Sequence, residues 1–396
     1  MNRLLLTATL GAAFLLPALA FASADFDTCL DGLRDRAVQD GVEPTVVDRV
    51  FSQVEFLDRV IELDRRQPEF TTPFGDYLAR SVNPRRVQQG RELLQTHRTL
   101  LERVQRETGV PPAYLLAFWG LETNYGSYFG RTFVPSALAT LACDPRRSAF
   151  FTEELIAALH IVQEAAIPLE RMQGSWAGAM GHVQFMPSTF LRHAVDADGD
   201  GRRDLWNSIP DAMLSAGNLL QQLGWQSGYR WGREVLLPAE FDFIEAGGNL
   251  RRPLGEWRRM GVSDTSGHPV ADLDLPATLL MPTGHRGPAF LVYANFDVIM
   301  GWNRSEYYAL AVGHLADRIG GAGPLHTPPP PDAPRLTRDQ VMQLQTALNG
   351  LGFDSGVVDG ILGPNTREAI RGYQGSAGMI PDGFPGPELL AALGID

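Results

Sequence analysis

The sixteen residues from Pro111 to Gly126, PPAYLLAFWGLETNYG, leave the chain few ways to fold. Two prolines pre-set φ for a helix start. Of the nine residues Ala113 to Leu121, all but Gly120 are apolar or aromatic, so no polar face recurs at helical spacing. A helix apolar all round has to be buried. The run ends in one carboxylate, Glu122, with a stop signal at Gly126. A carboxylate there is desolvated by its neighbours and sits at the negative end of the helix dipole. Both effects disfavour ionisation and raise its pKa. The result is a general acid that keeps its proton near neutral pH. A glutamate capping a surface helix would show the same letters, so the rest of the chain decides.

Around this stretch the pattern is helical. Phe26, Leu30, Leu33 and Ala37 recur at three- and four-residue spacing, as do Val46, Val47, Val50 and Val54. Breaks fall at Gly41, at Pro68 to Pro73, and at Asn83-Pro84, a cap followed by a helix start. Helices are expected through Ser148–Ile167 and Asp211–Leu223, and β-branched alternation is scarce. The main domain reads as mostly α.

The N-terminus carries Arg3, an apolar run Leu4 to Leu19, and small residues giving A-x-A sites that end at Ala22 or Ala24. This is a secretory signal peptide, spanning residues 1–24, and it predicts an exported, periplasmic protein without stable membrane insertion. A net charge of −12 with scattered basic residues excludes nucleic acid as a sequence-independent partner. In an oxidising compartment the two cysteines, Cys29 and Cys143, are a candidate disulfide; two buried free thiols are the alternative.

Two further stretches carry chemistry. In Gln173 to Ser188, small residues at 174, 175, 177, 178, 179 and 181 let a backbone or a sugar ring approach closely. Ser175 and Gln184 add neutral hydrogen-bonding groups, and Trp176 and Phe185 add flat apolar faces, a mixture that suits carbohydrate; tight loop packing is the alternative. In Asp196 to Asn207, carboxylates at Asp196, Asp198 and Asp200 followed by Gly201 match the first half of an EF-hand loop. The usual Glu at position twelve is Asn207, and Asp211 is the candidate replacement. With Arg202 at position seven supplying its carbonyl, the all-oxygen set points to structural Ca²⁺; the chemistry at Glu122 requires no cofactor.

Residues 225–288 are rich in Gly, Pro and Arg and read as a small insertion with short strands. A second aromatic and amide cluster, with Trp302, Asn303 and Tyr308, then runs into a helix Tyr308–Ile319. Residues 322–335 form a stiff, extended Pro-rich linker. From Leu336 to Asp396 a loose internal repeat of helix and Asp-Gly turn predicts an independent three-helix domain.

In this order the motifs are specific. Residues 25–321 resemble the membrane-bound lytic transglycosylase B family. The resemblance rests on Trp-Gly-Leu-Glu122-Thr-Asn-Tyr-Gly126, on Ser175 to Ser188, on the Asp196 loop with Leu205-Trp206, and on Trp302-Asn303-Arg304-Ser305. Residues 336–396 are similar to the common peptidoglycan-binding domain, through Leu344-Gln345, Leu351-Gly352-Phe353, Asp359-Gly360, Gly363, Thr366, Ala369-Ile370 and Tyr373-Gln374. The resemblance implies a lysozyme-like α domain with a single EF-hand-like loop, acting on peptidoglycan glycan strands as a monomer. It implies cleavage of the MurNAc–GlcNAc bond by attack of the muramyl C6 hydroxyl on C1, leaving a 1,6-anhydromuramyl end. Glu122 then serves as acid and afterwards as base, and Ser175, Gln184, Trp302, Asn303 and Tyr308 line the substrate groove. Trp302 stands where the family's best-known member has a Tyr, and Leu219 replaces another aligned Tyr. A lysozyme-type hydrolase and a non-catalytic cell-wall scaffold are the rival readings.

Overall fold

The computed structural model describes residues 18–66, 72–164, 167–246 and 250–395. It is mainly helical and comprises two compact units: residues up to 64 with 131–179 and 186–188, and residues 65–130 with 180–185 and 189 onward. Most of the expected signal peptide, 1–17, and most of the break at Pro68 to Pro73 lie outside the described residues. Among the described residues no helix is long and apolar enough to cross a membrane.

The first unit is built on helices Ala18–Gln39, Pro44–Phe51, Val134–Ala142 and Ser148–Gln163. Gly41, with φ +91°, turns the chain between the first two, where a Cβ would be strained. Val134–Ala142 is buried along its whole length. Its two hydroxyls, on Ser136 and Thr140, accept the backbone N–H groups of Glu55 (3.0 Å) and Leu57 (3.1 Å), so the buried polar atoms serve to hold a loop. Cys29 and Cys143 form a disulfide with Cα atoms 6.0 Å apart, tying the first helix to the end of Val134–Ala142. The helix expected to reach Ile167 ends at Gln163. Two short strands, β1 (Thr132–Phe133) and β2 (Gln173–Gly174), pair antiparallel, β1 leading into Val134–Ala142.

In the second unit the apolar helix Pro112–Thr123 packs against Pro84–Thr96, Arg98–Thr108, Ile209–Gln222 and Glu306–Ile319. Leu115, Leu116, Ala117 and Phe118 are fully enclosed. Each large side chain so buried contributes about 1.5–3 kcal/mol. Asn83 caps Pro84–Thr96 as expected, its Oδ1 accepting the Arg86 N–H at 2.9 Å. Close packing needs a missing Cβ at Gly120, which lies against the Tyr125 ring.

Residues 232–292 form a five-stranded antiparallel sheet. Its strands are β3 (Gly232–Leu236), β4 (Arg251–Pro253), β5 (Ser263–Asp264), β6 (Pro276–Leu280) and β7 (Ala289–Val292), in the order β4-β6-β7-β3-β5. Its core centres on Trp257, whose indole N–H donates to the Ala277 carbonyl at 3.1 Å. The C-terminal residues form three helices, Arg338–Gly350, Pro364–Ser376 and Pro387–Ala392, around Leu344, Leu348, Ile370 and Leu389.

The segment 322–335 is bonded at several points to the same unit, a restraint that its Pro-rich composition does not declare. The N–H groups of His326 and Thr327 donate to the Glu234 carboxylate, both at 2.7 Å. Arg286 grips Asp332 through both oxygens (2.9 and 2.8 Å), and Arg335 pairs with Asp76.

Candidate active site

Glu122 closes the buried helix, and the helix stops earlier than its glycine suggests. Asn124 (φ 48°) and Tyr125 (φ 58°) already take the left-handed conformation ahead of Gly126 (φ 78°). For non-glycine residues this costs about 1–3 kcal/mol each, so surrounding structure must impose it. Tyr125 is buried and donates its hydroxyl to the Arg86 carbonyl at 2.9 Å. Thr123 donates to the His182 carbonyl (2.9 Å) and accepts the Gly126 N–H (3.0 Å). A Cβ on residue 126 would strike the His182 ring.

His182 belongs to a tight loop, closed by an antiparallel bridge between Met180 and Phe185. Its Nδ1 accepts from the Trp119 indole N–H at 2.9 Å, and burial pushes its pKa down to about 4. The ring is therefore a neutral brace between the loop and the Glu122 helix. Gln184, on the same loop with φ 50°, donates its amide to the Gly181 (2.9 Å) and Phe129 (3.3 Å) carbonyls. Its side-chain oxygen has no hydrogen bond among the described residues of its unit.

Glu122 Oε1 accepts two hydrogen bonds, from the Tyr308 hydroxyl at 2.5 Å and the Trp302 indole N–H at 2.9 Å. Both donors come from the far end of the chain. Trp302 ends the helix Ala294–Trp302, its ring 4.4 Å from Phe118 and 5.5 Å from Phe185 between centroids. Tyr308 lies in the first turn of Glu306–Ile319, whose N-cap Ser305 accepts the Tyr308 N–H at 3.3 Å. Burial pushes Glu122 up to about 7, against the lowering pull of these two donors. Among the described residues of its unit, no other carboxylate contributes to that shift.

Residues expected along the groove thus divide. Trp302 and Tyr308 put their polar atoms on the carboxyl itself. The tryptophan at a position where a tyrosine was the reference therefore still supplies a donor. Asn303 is exposed and its Oδ1 accepts the Ser305 N–H at 3.0 Å, shaping the turn. Ser175 lies in the first unit, after β2, where its hydroxyl oxygen accepts from the Ala179 (3.0 Å) and Ala177 (3.3 Å) N–H groups. The small residues there let the loop fold on itself, as Gly174 does against the Ala179 carbonyl, and lie close on the helix Val134–Ala142, as Gly178 does against Leu138. The bracing role of His182 and Trp119 has no local signature in the sequence.

Three carboxylates of the acidic loop converge: Asp196, Asp198 and Asp211 offer oxygens within 4.8 Å of one another. Asp211 is fully buried at the start of Ile209–Gln222 and receives the N–H groups of Ala197 and Asp204, both at 2.8 Å. Burial, with Asp198 adding to it, raises its pKa. This all-oxygen set fits a hard divalent cation. Asp200 stands outside the group; it is exposed and its Oδ1 accepts the Arg202 N–H at 2.8 Å.

Comparison with known proteins finds relatives for both parts of the chain. The transglycosylase SLT domain family matches residues 25–317, and a peptidoglycan binding domain family matches 337–393. The membrane-bound lytic murein transglycosylase B of Escherichia coli is 29% identical over 289 residues, 70% of this chain and 79% of that protein. The crystal structure of SltB3 from Pseudomonas aeruginosa in complex with NAG-anhNAM-pentapeptide superposes with a TM-score of 0.90 at 45% identity, covering 93% of this chain and 99% of that one. The Escherichia coli lytic transglycosylase Slt35 in complex with calcium gives 0.64 at 28% identity, over 74% and 92%. A half-buried acid at the end of an apolar helix and a match spanning both domains lead to one conclusion: this chain belongs to the lytic transglycosylase family of the SLT domain.

Proposed function

We propose that the chain cleaves the MurNAc–GlcNAc β-1,4 bond of peptidoglycan glycan strands, forming 1,6-anhydromuramyl ends, with Glu122 as the sole acid–base. The observation that carries this reading is a carboxyl poised at about 7 by burial and held at Oε1 by Tyr308 and Trp302. Oε2 is then the oxygen that carries the proton. In the first step Glu122 protonates the leaving oxygen as the C1–O bond breaks. The resulting carboxylate is stabilised by two charge-assisted hydrogen bonds, worth about 1.5–3 kcal/mol each. In the second step it takes the proton of the C6 hydroxyl as that oxygen attacks C1, which restores the starting acid. One carboxyl serves both steps because they are sequential.

Gln184, whose side-chain oxygen has no hydrogen bond among the described residues of its unit, is assigned to the substrate, and Asn303 to the groove. Asp196, Asp198 and Asp211 are assigned to a structural Ca²⁺, supported by their convergence and by the calcium complex of Slt35. Residues 1–24 are assigned to export into the periplasm.

The test is product analysis with Glu122→Gln. General acid–base catalysis contributes typically 10²–10⁴-fold, and with one residue supplying both halves the loss should reach at least the upper figure. Wild-type kcat/KM should fall as pH rises through about 7, because the protonated carboxyl begins the reaction. Reducing rather than anhydro ends on the wild-type products would make the enzyme a hydrolase. Activity of Glu122→Gln within tenfold of wild type would move the acid–base role elsewhere.

A further inference from the structure

The C-terminal module contains one small device twice. In the first copy, Gln345 donates from Nε2 to Asp359 Oδ1 (2.9 Å) and accepts the Gly360 N–H (2.8 Å). In the second, Gln374 donates to Asp382 Oδ1 (2.9 Å) and accepts the Gly383 N–H (2.9 Å). Both glutamines are buried. Arg338 and Arg367 each precede their glutamine by seven residues, and both turns read Asp-Gly-x-x-Gly-Pro.

What covers the two copies differs. Asp382 is only 5% exposed, and its Oδ2 accepts the backbone N–H of His285 at 2.9 Å and meets the His285 Nδ1 at 2.6 Å. Gly284 passes so close that a Cβ on it would come within 2.8 Å of Phe384 Cβ. Arg367 lies 4.0 Å from Glu306. The second copy therefore grips a peptide backbone, the segment Thr283–Arg286 between β6 and β7. Among the described residues, no hydrogen bond or ion pair joins the first copy to a segment outside the module, and only the module's own Arg338 lies over its turn. Asp359 is exposed, and its Oδ2 takes no hydrogen bond among the described residues. Ile361, the counterpart of the half-buried Phe384, is 43% exposed, and Leu351 and Val357 on the same loop are 56% and 81% exposed.

We propose that residues 351–361 are the module's ligand face and that they bind the peptide stems of peptidoglycan. Asp359 grips a stem amide N–H as Asp382 grips that of His285, while Leu351, Val357 and Ile361 cover apolar side chains of the stem. The second copy serves only to dock the module. This rests on peptidoglycan being the substrate, as proposed above. It adds which face binds and which part of the polymer is recognised.

The experiment uses the full chain carrying Glu122→Gln, so that insoluble sacculi are bound and not consumed. Co-sedimentation is measured on intact sacculi and on sacculi stripped of their stems by an amidase. Adding Val357→Asp with Ile361→Asp should lower affinity for intact sacculi at least tenfold, with the melting transition unchanged. Adding His285→Ala should leave affinity within twofold. Stripping the stems should reproduce the tenfold loss in the chain with only Glu122→Gln. Undiminished binding by the Val357/Ile361 variant overturns the assignment. So does loss confined to the His285 variant, which would make the second copy the ligand face, or indifference to the stems, which would mean that the sugar is read. Failure of the wild type to form anhydro ends would sink the proposed reaction and leave these comparisons standing.

Discussion

Glu122 is tuned by opposing effects of unequal size. Burial disfavours its charge, two hydrogen bonds favour it, and burial prevails. A folded-state pKa of about 7 against an ordinary 4.5 means that the folded state binds this proton more tightly than the unfolded chain. Stability from this group is therefore full below about pH 4.5 and lost as pH rises towards 7. Glu122→Gln keeps both accepted hydrogen bonds and has no charge to desolvate. It should melt several degrees above wild type at pH 8, with the gap closing towards pH 4.5; calorimetry at the two pH values checks this, and a pH-independent gap would contradict it. Tyr308→Phe removes a donor that favours the carboxylate. The falling limb of the pH–rate profile should move to higher pH and kcat should drop tenfold or more. An unmoved limb would mean that the hydroxyl does not tune the acid.

At the scale of elements, the acidic loop and the helix after it form one unit. Asp211 sits in the first turn of Ile209–Gln222, where the helix dipole favours a negative charge, yet burial and Asp198 work against it. A divalent cation would relieve that opposition. Ca²⁺ should raise the melting temperature, by an amount equivalent to about 2.7 kcal/mol at one hundred times Kd, and Asp198→Ala should abolish the rise. No Ca²⁺-dependent shift at millimolar concentration would remove the assignment. Trp302 shows the same economy at the end of its own helix: its ring packs on Phe118 and Phe185 while its N–H reaches Glu122.

For the whole molecule the linker matters most. A Pro-rich segment favours an extended chain, but composition is silent on what holds it. Glu234 and Asp332 do so, each receiving two hydrogen bonds, from the linker itself in one case and from Arg286 in the other. Replacing both by alanine should speed limited proteolysis within 322–335 severalfold without changing cleavage of soluble glycans. Equal proteolysis rates would mean that these bonds do not restrain the segment.

The sequence by itself determined what depends on neighbours a few residues apart. The buried helix, its terminal acid, the Asn83 cap, the carboxylates of the acidic loop and the repeated Asp-Gly turns all follow from periodicity and turn chemistry within a dozen or so positions. Only the tertiary structure decided the partners of Glu122, which lie 180 and 186 residues away, because nothing local distinguishes a tryptophan aimed at a carboxyl from one lining a groove. It also decided the helix end: the left-handed Asn124 and Tyr125 are strained by themselves and are held by bonds to groups outside the helix, the Tyr125 hydroxyl on the Arg86 carbonyl and the Thr123 hydroxyl on the His182 carbonyl. The sheet in 232–292 was legible only as short strands. Strands of two to five residues carry too few alternations to declare their partners, and the order β4-β6-β7-β3-β5 follows from which apolar faces close over Trp257.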